Sequence, residues 1–472
     1  MIVAGDQQLL KQINRMALVR HLCCSPGLSR AALAEAVGLT KSTVSLLVRE
    51  LMDEGWLCES ELVATGALGR RATPLRLDTG RLALLGADIG VVAARLVATD
   101  LLGNVLAERA LPYPDAADPH ACVALVADAL AEMAAGAARG GMAGLVEVAE
   151  VAEVSELAGM AGMAQPTGSA GLAEMAGVTR RAGSRSAVGA LGGRVLLGLG
   201  IGVPGVVDDA TGVLRHAPHL GWRDVDVVGR VRARFASLPG GALTGLPLFI
   251  QNEANVAALA ELEFAGGGGA DPLIYLSIGH GVGAGIVVNG RLLTGLSGFA
   301  GEVGHTILQQ GGPQCSCGRR GCADALIGLR AVMDQVFGKG NAGDDVLAAP
   351  LARLERLFAR TDAGDAAACE AVEAAGRHLG VLLNNLWVAF DPMCIVIGGA
   401  ALRLGERFIA PGRAVLRDCA DAALLPAPTI RTPHFGANAI AIGGAAMARH
   451  YLMRPFADQG GAPYDLLRRR IA

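Results

Sequence analysis

The run "LSRAALAEAVGLTKSTVSLLVRELMDEGWL" repeats a helical apolar pattern twice, interrupted at "VGLT". In its second half Val44, Leu47, Val48 and Leu51 recur at i, i+3, i+4 and i+7, which predicts a helix with one apolar face. Ser42, Ser45, Leu46 and Arg49 fall opposite, Lys41 and Thr43 lie near the start, and Thr40 is placed to cap it. The first half predicts a bracing helix near Ser29 to Val37. Two strand-like pieces follow, "WLCESEL" and "GALGRRATPLRLD", around a Gly-Arg-Arg tip. Beyond residue 80 the pattern changes: short aliphatic runs such as "LALLGADIG", "RVLLGLGIGVPG", "PLIYLSIG" and "MCIVIGG" alternate with longer helical stretches. That alternation predicts an α/β fold. Asn289-Gly290, between apolar residues in "GIVVNGRLL", predicts a tight hairpin.

Two domains are therefore expected, a small helical one over residues 1–80 and an α/β one over 81–472. Residues 136–192 interrupt the second with near-repeats, "VEVAEVAEVSELAGMAGMA" and "AGLAEMAG". Such low complexity reads as an insertion in a surface connection and carries no functional signal.

Composition narrows the classes. Hydrophobic residues make up 52% of the 472, with Ala the most frequent of them, yet no uninterrupted apolar run reaches the roughly 20 residues that span a bilayer. The start, "MIVAGDQQLLKQINR", has polar residues where a signal peptide has its apolar core. A cytoplasmic protein with no membrane partner is expected. The net charge of −3 gives no global sign of nucleic acid. Local placement does, because short polar side chains and Arg49 near a helix N-terminus suit a recognition helix in a major groove. Arg70 and Arg71 at the tip, with no acid within five residues, suit phosphates or a narrow minor groove. Lys41, Ser42, Thr43, Ser45, Arg49, Arg70 and Arg71 are thus the candidate DNA contacts. The competing reading of this segment is a helical bundle that mediates dimerisation.

The ten cysteines are scattered except for Cys23/Cys24 and the group "CSCGRRGC" at 315–322. Cys315, Cys317 and Cys322, with His305 ten residues upstream, supply four N/S donors. Four such donors with no open position describe a structural tetrahedral zinc site. Inert buried thiols and a redox switch activated by Arg319 and Arg320 are the alternatives.

The segment "SGFAGEVGHTILQQGGPQCSCGRRGCAD" resembles the signature of the ROK family of repressors, open reading frames and sugar kinases. "GIGVPGVVD", "QNEANVAALAE", "IGHGVGAGIVVNGRLLTG" and "IVIGGAALRLGERF" resemble further landmarks of that family, in its order. The N-terminal segment is similar to the winged helix-turn-helix of its repressor branch. The resemblance implies a two-lobed actin-like kinase fold with sugar between the lobes. It implies sugar contacts from Glu302 and His305, zinc (Zn2+) held by His305, Cys315, Cys317 and Cys322, and an Asn252 that reaches ring hydroxyls. Asp324 stands where the family usually has Glu, with a shorter reach.

Two departures from the kinase pattern argue against an enzyme. Kinases of the family carry Asp-x-Gly-x-Thr in their first phosphate turn; here Asp88 and Gly90 are kept, but Val91 and Val92 replace the following Gly and Thr. Glu253 stands where the kinases have their catalytic Asp, and one methylene displaces a base by about an ångström, which is costly. The expected function is a repressor with sugar as inducer, operator DNA as partner and a homodimer or homotetramer as assembly, with Glu253 counted among the sugar-site residues. A sugar kinase carrying a DNA-binding domain is the alternative.

Overall fold

The computed structural model describes residues 7–60, 73–91, 93–135, 191, 194–217, 220–239, 243–265, 271–296, 298–338 and 348–454. Arg70, Arg71 and Val92 lie outside the described residues, as does the 136–192 insertion apart from Leu191.

Three helices open the chain: α1 (Gln7–Cys24), α2 (Arg30–Val37) and α3 (Lys41–Asp53). Local chemistry sets the boundaries of the last two. The Ser29 hydroxyl accepts from the Ala32 amide at 3.2 Å and starts α2, which Gly38 ends in the left-handed region at φ 73°. The Thr40 hydroxyl accepts from the Thr43 amide, also at 3.2 Å, and starts α3. Helices α2 and α3 meet at 113°, within the range of helix-turn-helix units. The apolar stripe Val44, Leu47, Val48 and Leu51 is buried, as its spacing requires. The strand-like pieces form β1 (Leu57–Glu59) and β2 (Leu75–Leu77), paired antiparallel with Leu57 opposite Leu77.

The α/β part has two lobes, each built on a five-stranded sheet. In the first, β3 (Leu82–Ile89), β4 (Ala93–Thr99), β5 (Val105–Pro112), β6 (Val195–Val203) and β10 (Leu248–Asn252) lie in the order β10-β6-β3-β4-β5. Helices α4 (Pro119–Ala135) and α5 (Val227–Ser237) pack on one face. A small antiparallel sheet, β7 (Val206–Asp208), β8 (Val213–Ala217) and β9 (Trp222–Asp226), extends this lobe. Helix α6 (Glu253–Phe264) leaves β10 and leads to the second sheet. There β11 (Leu273–Ile278), β12 (Val282–Val288), β13 (Arg291–Leu292), β14 (Cys394–Gly398) and β15 (Thr429–Arg431) follow the order β13-β12-β11-β14-β15. Helices α7 (Asp324–Ile327), α8 (Leu329–Phe337), α9 (Ala348–Asp362), α10 (Ala366–Phe390) and α11 (Glu406–Ala423) complete this lobe.

The expected hairpin joins β12 to β13. Asn289 (φ 55°) and Gly290 (φ 66°) form its two-residue turn between paired Val288 and Arg291. The Asp271 carboxylate accepts from both turn amides, at 2.8 and 2.6 Å.

The last helix, α12 (Ala439–Met453), returns to the first sheet. Glycines permit the approach: a Cβ on Gly86 would stand 1.9 Å from the Ala441 carbonyl oxygen, and one on Gly200 2.0 Å from that of Gly444. The N-terminal helical segment does not stand apart from this lobe. Met16, Leu18, Val19 and Leu22 of α1 share one apolar cluster with Leu82, Leu84, Leu101 and Leu197 of the lobe and with Ala445, Ala448, Leu452 and Met453 of α12. Each large aliphatic side chain buried there contributes about 1.5–3 kcal/mol.

Candidate functional site

Two regions carry the chemistry. On α3 the face opposite the buried stripe is open: Lys41, Ser42, Ser45 and Arg49 are exposed, Thr43 is half-buried and Leu46 is 54% exposed. The Ser45 hydroxyl turns back onto the Lys41 carbonyl at 2.8 Å, and Thr40 bonds the hydroxyls of both Ser42 and Thr43. The face thus offers hydroxyls, one guanidinium and an apolar side chain, the types that read base edges and thymine methyls. Arg15 of α1 pairs with Glu50 and Glu54, and Lys11 with Glu50 at 2.6 Å, so these acids at the end of α3 are turned toward α1.

The second region lies where β10, the turn at 302–305 and α7 converge. His305 ends a single 3-10 turn (Val303–His305), and the loop after it doubles back so that Ile307 bridges Cys322 and Gln314 bridges Arg320. The Cys315 amide donates to the Arg319 carbonyl at 2.8 Å and the Leu308 amide to that of Gly321. Gly321 is obligatory in this knot: at φ 74°, a Cβ there would lie 1.6 Å from the Gln309 carbonyl oxygen. The result gathers His305, Cys315, Cys317 and Cys322, whose donor atoms all lie within 4.8 Å of one another. Cys317 Sγ is 3.7 Å from Cys322 Sγ, and Cys315 Sγ is 3.8 Å from His305 Nδ1. Tetrahedral bonds of about 2.3 Å put sulfurs roughly 3.8 Å apart, so this donor set fits one metal ion. Burial opposes ionisation of Cys317, but hydrogen bonds from Arg319 outweigh it and draw the thiol down to about 6. The neighbouring Cys322, burdened by burial and by Cys317, is pushed up to about 12.

The carboxylates sit beside this knot. Burial, and then the Glu302 charge, raise Glu253 to about 7. Glu302 is itself raised by burial, with His305 opposing and Asp324 adding to the rise. Glu253, Glu302, His305 and Asp324 therefore share one electrostatic neighbourhood, from three separate stretches of chain. Asn252 adjoins them in a structural role: its Oδ1 accepts from the Ala254 amide at 2.8 Å and caps α6, while its Nδ2 donates to the Gly205 carbonyl at 2.9 Å. Asp324 likewise accepts from the Val282 amide at 2.8 Å, which ties α7 to β12. Each group keeps hydrogen-bonding capacity beyond these bonds.

Asp88 enters the same neighbourhood, although nothing in the residue order assigned it a ligand role. It is 7% exposed, its Oδ1 has no hydrogen-bond partner, and burial and then Glu253 lift it to about 8, against Arg95. The signal was legible only as a kept Asp-x-Gly. Val91, which follows Gly90, packs against the first lobe's core.

Residues 189–451 match the ROK family and residues 12–57 the winged helix-turn-helix DNA-binding family. The chain belongs to the ROK family. A putative xylose repressor of Caldicellulosiruptor sp. (strain Rt8B.4) is 29% identical over 87% of this chain and 89% of its own length. A glucokinase of Halalkalibacterium halodurans is 32% identical, over 54% of this chain and 76% of its own. The fold of a ROK family transcriptional regulator, a homologue of the E. coli Mlc protein, superposes with a TM-score of 0.66 over 98% of this chain and 99% of that one, at 21% identity. In sequence, the putative xylose repressor thus matches 87% of this ROK chain and the glucokinase 54% of it. Among the described residues no single helix is long and apolar enough to cross a membrane.

Proposed function

We propose that this ROK protein is a cytoplasmic, sugar-responsive repressor of carbohydrate-utilisation genes, which binds operator DNA as a homodimer or homotetramer and releases it when sugar binds. The observation that carries the reading is the apolar core shared by α1, β3 and α12, which packs the helix-turn-helix directly against the first lobe. Lys41, Ser42, Thr43, Ser45 and Arg49 address the DNA bases, and Arg70 and Arg71 its phosphates. Glu253, Glu302, His305, Asp324 and Asn252 address the sugar hydroxyls. Carboxylates and amides accept from and donate to vicinal hydroxyls, and sites built on such bonds discriminate sharply.

His305, Cys315, Cys317 and Cys322 would hold a structural zinc ion. When bound, zinc supplies cross-linking and no reaction. The chain's own contribution is the backbone knot, which fixes the distance between the 302–305 turn and α7 and thereby aims Glu302 and His305.

A second reading, a sugar kinase with a DNA-binding domain, has one observation in its favour. A carboxyl that titrates near 7, as Glu253 does, is tuned for general-base work. Against it stands the Val91 side chain, committed to the core beside the phosphate turn.

The test is a thermal-shift panel of aldopentoses, aldohexoses and N-acetylhexosamines, followed by selection of bound duplexes from a random pool with and without the stabilising sugar. The reading expects a pseudo-palindromic duplex and its release by one sugar. A protein that selects no duplex would remove the repressor reading.

A further inference from the structure

Glu263, in the last turn of α6, has a side chain only 7% exposed that faces two guanidiniums and an imidazole. Arg449 donates to its Oε2 through Nε at 3.1 Å and through Nη2 at 2.8 Å. His450 Nδ1 lies 2.8 Å from Oε1, which Arg454 also reaches. Arg449 further donates to the Leu101 carbonyl at 2.7 Å and stacks 4.5 Å from the centre of the Phe264 ring. An acid in the last turn of a helix opposes the helix dipole, so helix formation does not account for this residue. Its partners do: despite its burial, Arg449, then the hydrogen bond from His450 and then Arg454, hold the Glu263 carboxyl well below the usual carboxylate range. Breaking such a buried set leaves charges stranded.

The helix-turn-helix segment rests on α12 beside this cluster: Met16, Leu18, Val19 and Leu22 of α1 share a core with Leu452 and Met453 of α12, and Cys23 packs against it. Arg20, also on α1, is lowered by burial and then by Arg454, with Glu263 opposing. The far end of α6 is Glu253, in the cleft. The two acids are ten positions apart on the helix, about 15 Å. Both flanks grip the helix between them: a Cβ on Gly285 of β12 would stand 2.2 Å from the Ala254 carbonyl oxygen, and one on Gly443 of α12 2.2 Å from that of Val256. A helix packed this closely moves as a body, because dense interiors transmit displacement.

We propose that Glu263 is the joint through which α6 couples the sugar cleft to the DNA-binding helices, an inference that rests on the sugar-responsive reading above. A shift at Glu253 carries Glu263 with it. The carboxylate draws on Arg449, His450 and Arg454, so α12 moves, and α1 moves with the core it shares with α12. Glu263 is a positioning residue that touches neither sugar nor DNA.

The experiment is a double-mutant cycle on the full-length, zinc-loaded protein: wild type, Glu253→Gln, Glu263→Gln and both together, read by hydrogen exchange of α1 amides. That readout needs neither sugar nor operator. Glu253→Gln should change α1 exchange at least fivefold with Glu263 present and less than twofold in the Glu263→Gln background. Sites this far apart otherwise act additively, so a merely structural role for Glu263 would leave the effect of Glu253→Gln the same in both backgrounds. Equal change in both, or no change from Glu253→Gln at all, overturns the joint. Should Glu263→Gln fail to fold, Arg454→Gln, at the 14% exposed rim of the cluster, replaces it with a smaller expected loss of coupling. Titration of the selected duplex with D-xylose, D-glucose and N-acetyl-D-glucosamine separates the two readings. A sugar that shifts DNA affinity equally in wild type and Glu263→Gln removes the joint and leaves the function. A non-additive exchange cycle with no response to any sugar keeps the joint and removes the sugar-responsive reading.

Discussion

Cys315 Sγ lies 3.8 Å from His305 Nδ1, so one edge of a single imidazole faces the thiol cluster. An imidazole has a second nitrogen, and one ring can serve a metal and a ligand at once. Loss of the cluster should therefore disturb both the fold and the sugar site. We expect about one zinc per chain from metal analysis. Cys317→Ser should lose the metal and lower Tm by on the order of 10 °C. Purified protein without zinc would remove the assignment.

The raised Glu253 carboxyl makes stability depend on pH. In the unfolded chain it titrates near the ordinary 4.3, whereas in the folded chain it titrates at about 7. The folded protein holds the extra proton between those values. The group's stabilising contribution is full below roughly pH 4 and is lost as pH rises through about 7. Glu253→Gln removes the dependence, so its Tm should gain on that of wild type between pH 5 and pH 8. The gain amounts to roughly 1–3 kcal/mol, because the Glu253 charge also bears on Asp88, which burial and Glu253 lift to about 8. An offset that stays constant across this range would contradict the shift.

On the DNA side, Arg49→Ala should weaken binding to the selected duplex more than binding to random DNA, because a base-reading side chain carries discrimination. The double change Arg70→Ala with Arg71→Ala should weaken both alike and flatten the salt dependence, as phosphate contacts do. Thr40→Ala removes the cap of α3 and should cost about 1 kcal/mol of stability. Equal losses on both kinds of DNA for Arg49→Ala would take it off the base-reading face.

Sugar-dependent ADP release should stay at background. Val91 fills space beside the phosphate turn, and Glu253 carries one methylene more than the kinases' Asp. A coupled assay that reaches turnover on the order of 1 s⁻¹ would favour the kinase reading.

Sugar should act as inducer. Operator DNA must then weaken sugar affinity by the same factor by which sugar weakens operator affinity, about 5- to 150-fold for couplings of this kind. Glu302→Ala should bind operator and ignore sugar while retaining its metal. Tighter operator binding with sugar present would make the ligand a corepressor.

Much of this was legible in the chain because it is local. Thr40, Val44, Leu47 and Leu51 state a capped amphipathic helix by spacing alone, and Asn289-Gly290 states a hairpin turn that only residues tolerant of positive φ adopt. The metal knot was equally legible, since three cysteines and two glycines within eight residues leave the loop few ways to fold. The resemblance to the ROK family implied sugar contacts from Glu302, His305 and Asn252 but not the backbone bonds some of these residues make. Asn252 and Asp324, expected at the sugar, also cap α6 and tie α7 to β12, and such backbone bonds leave no trace in residue order.

The sequence by itself determined the helix-turn-helix and the α/β class, which follow from periodicity and turn chemistry, and it placed four candidate metal donors at short spacing; the two lobes came from the resemblance to the ROK family. The tertiary structure alone decided what those parts do to one another. It brought Asp88, Glu253 and Glu302 from three stretches of chain into one poorly solvated space, where like charges raise one another's affinity for protons. It also seated Glu263 among Arg449, His450 and Arg454, nearly two hundred residues away and beneath α1. Long-range electrostatics and shared burial depend on the path of the whole chain, and no local pattern records that path.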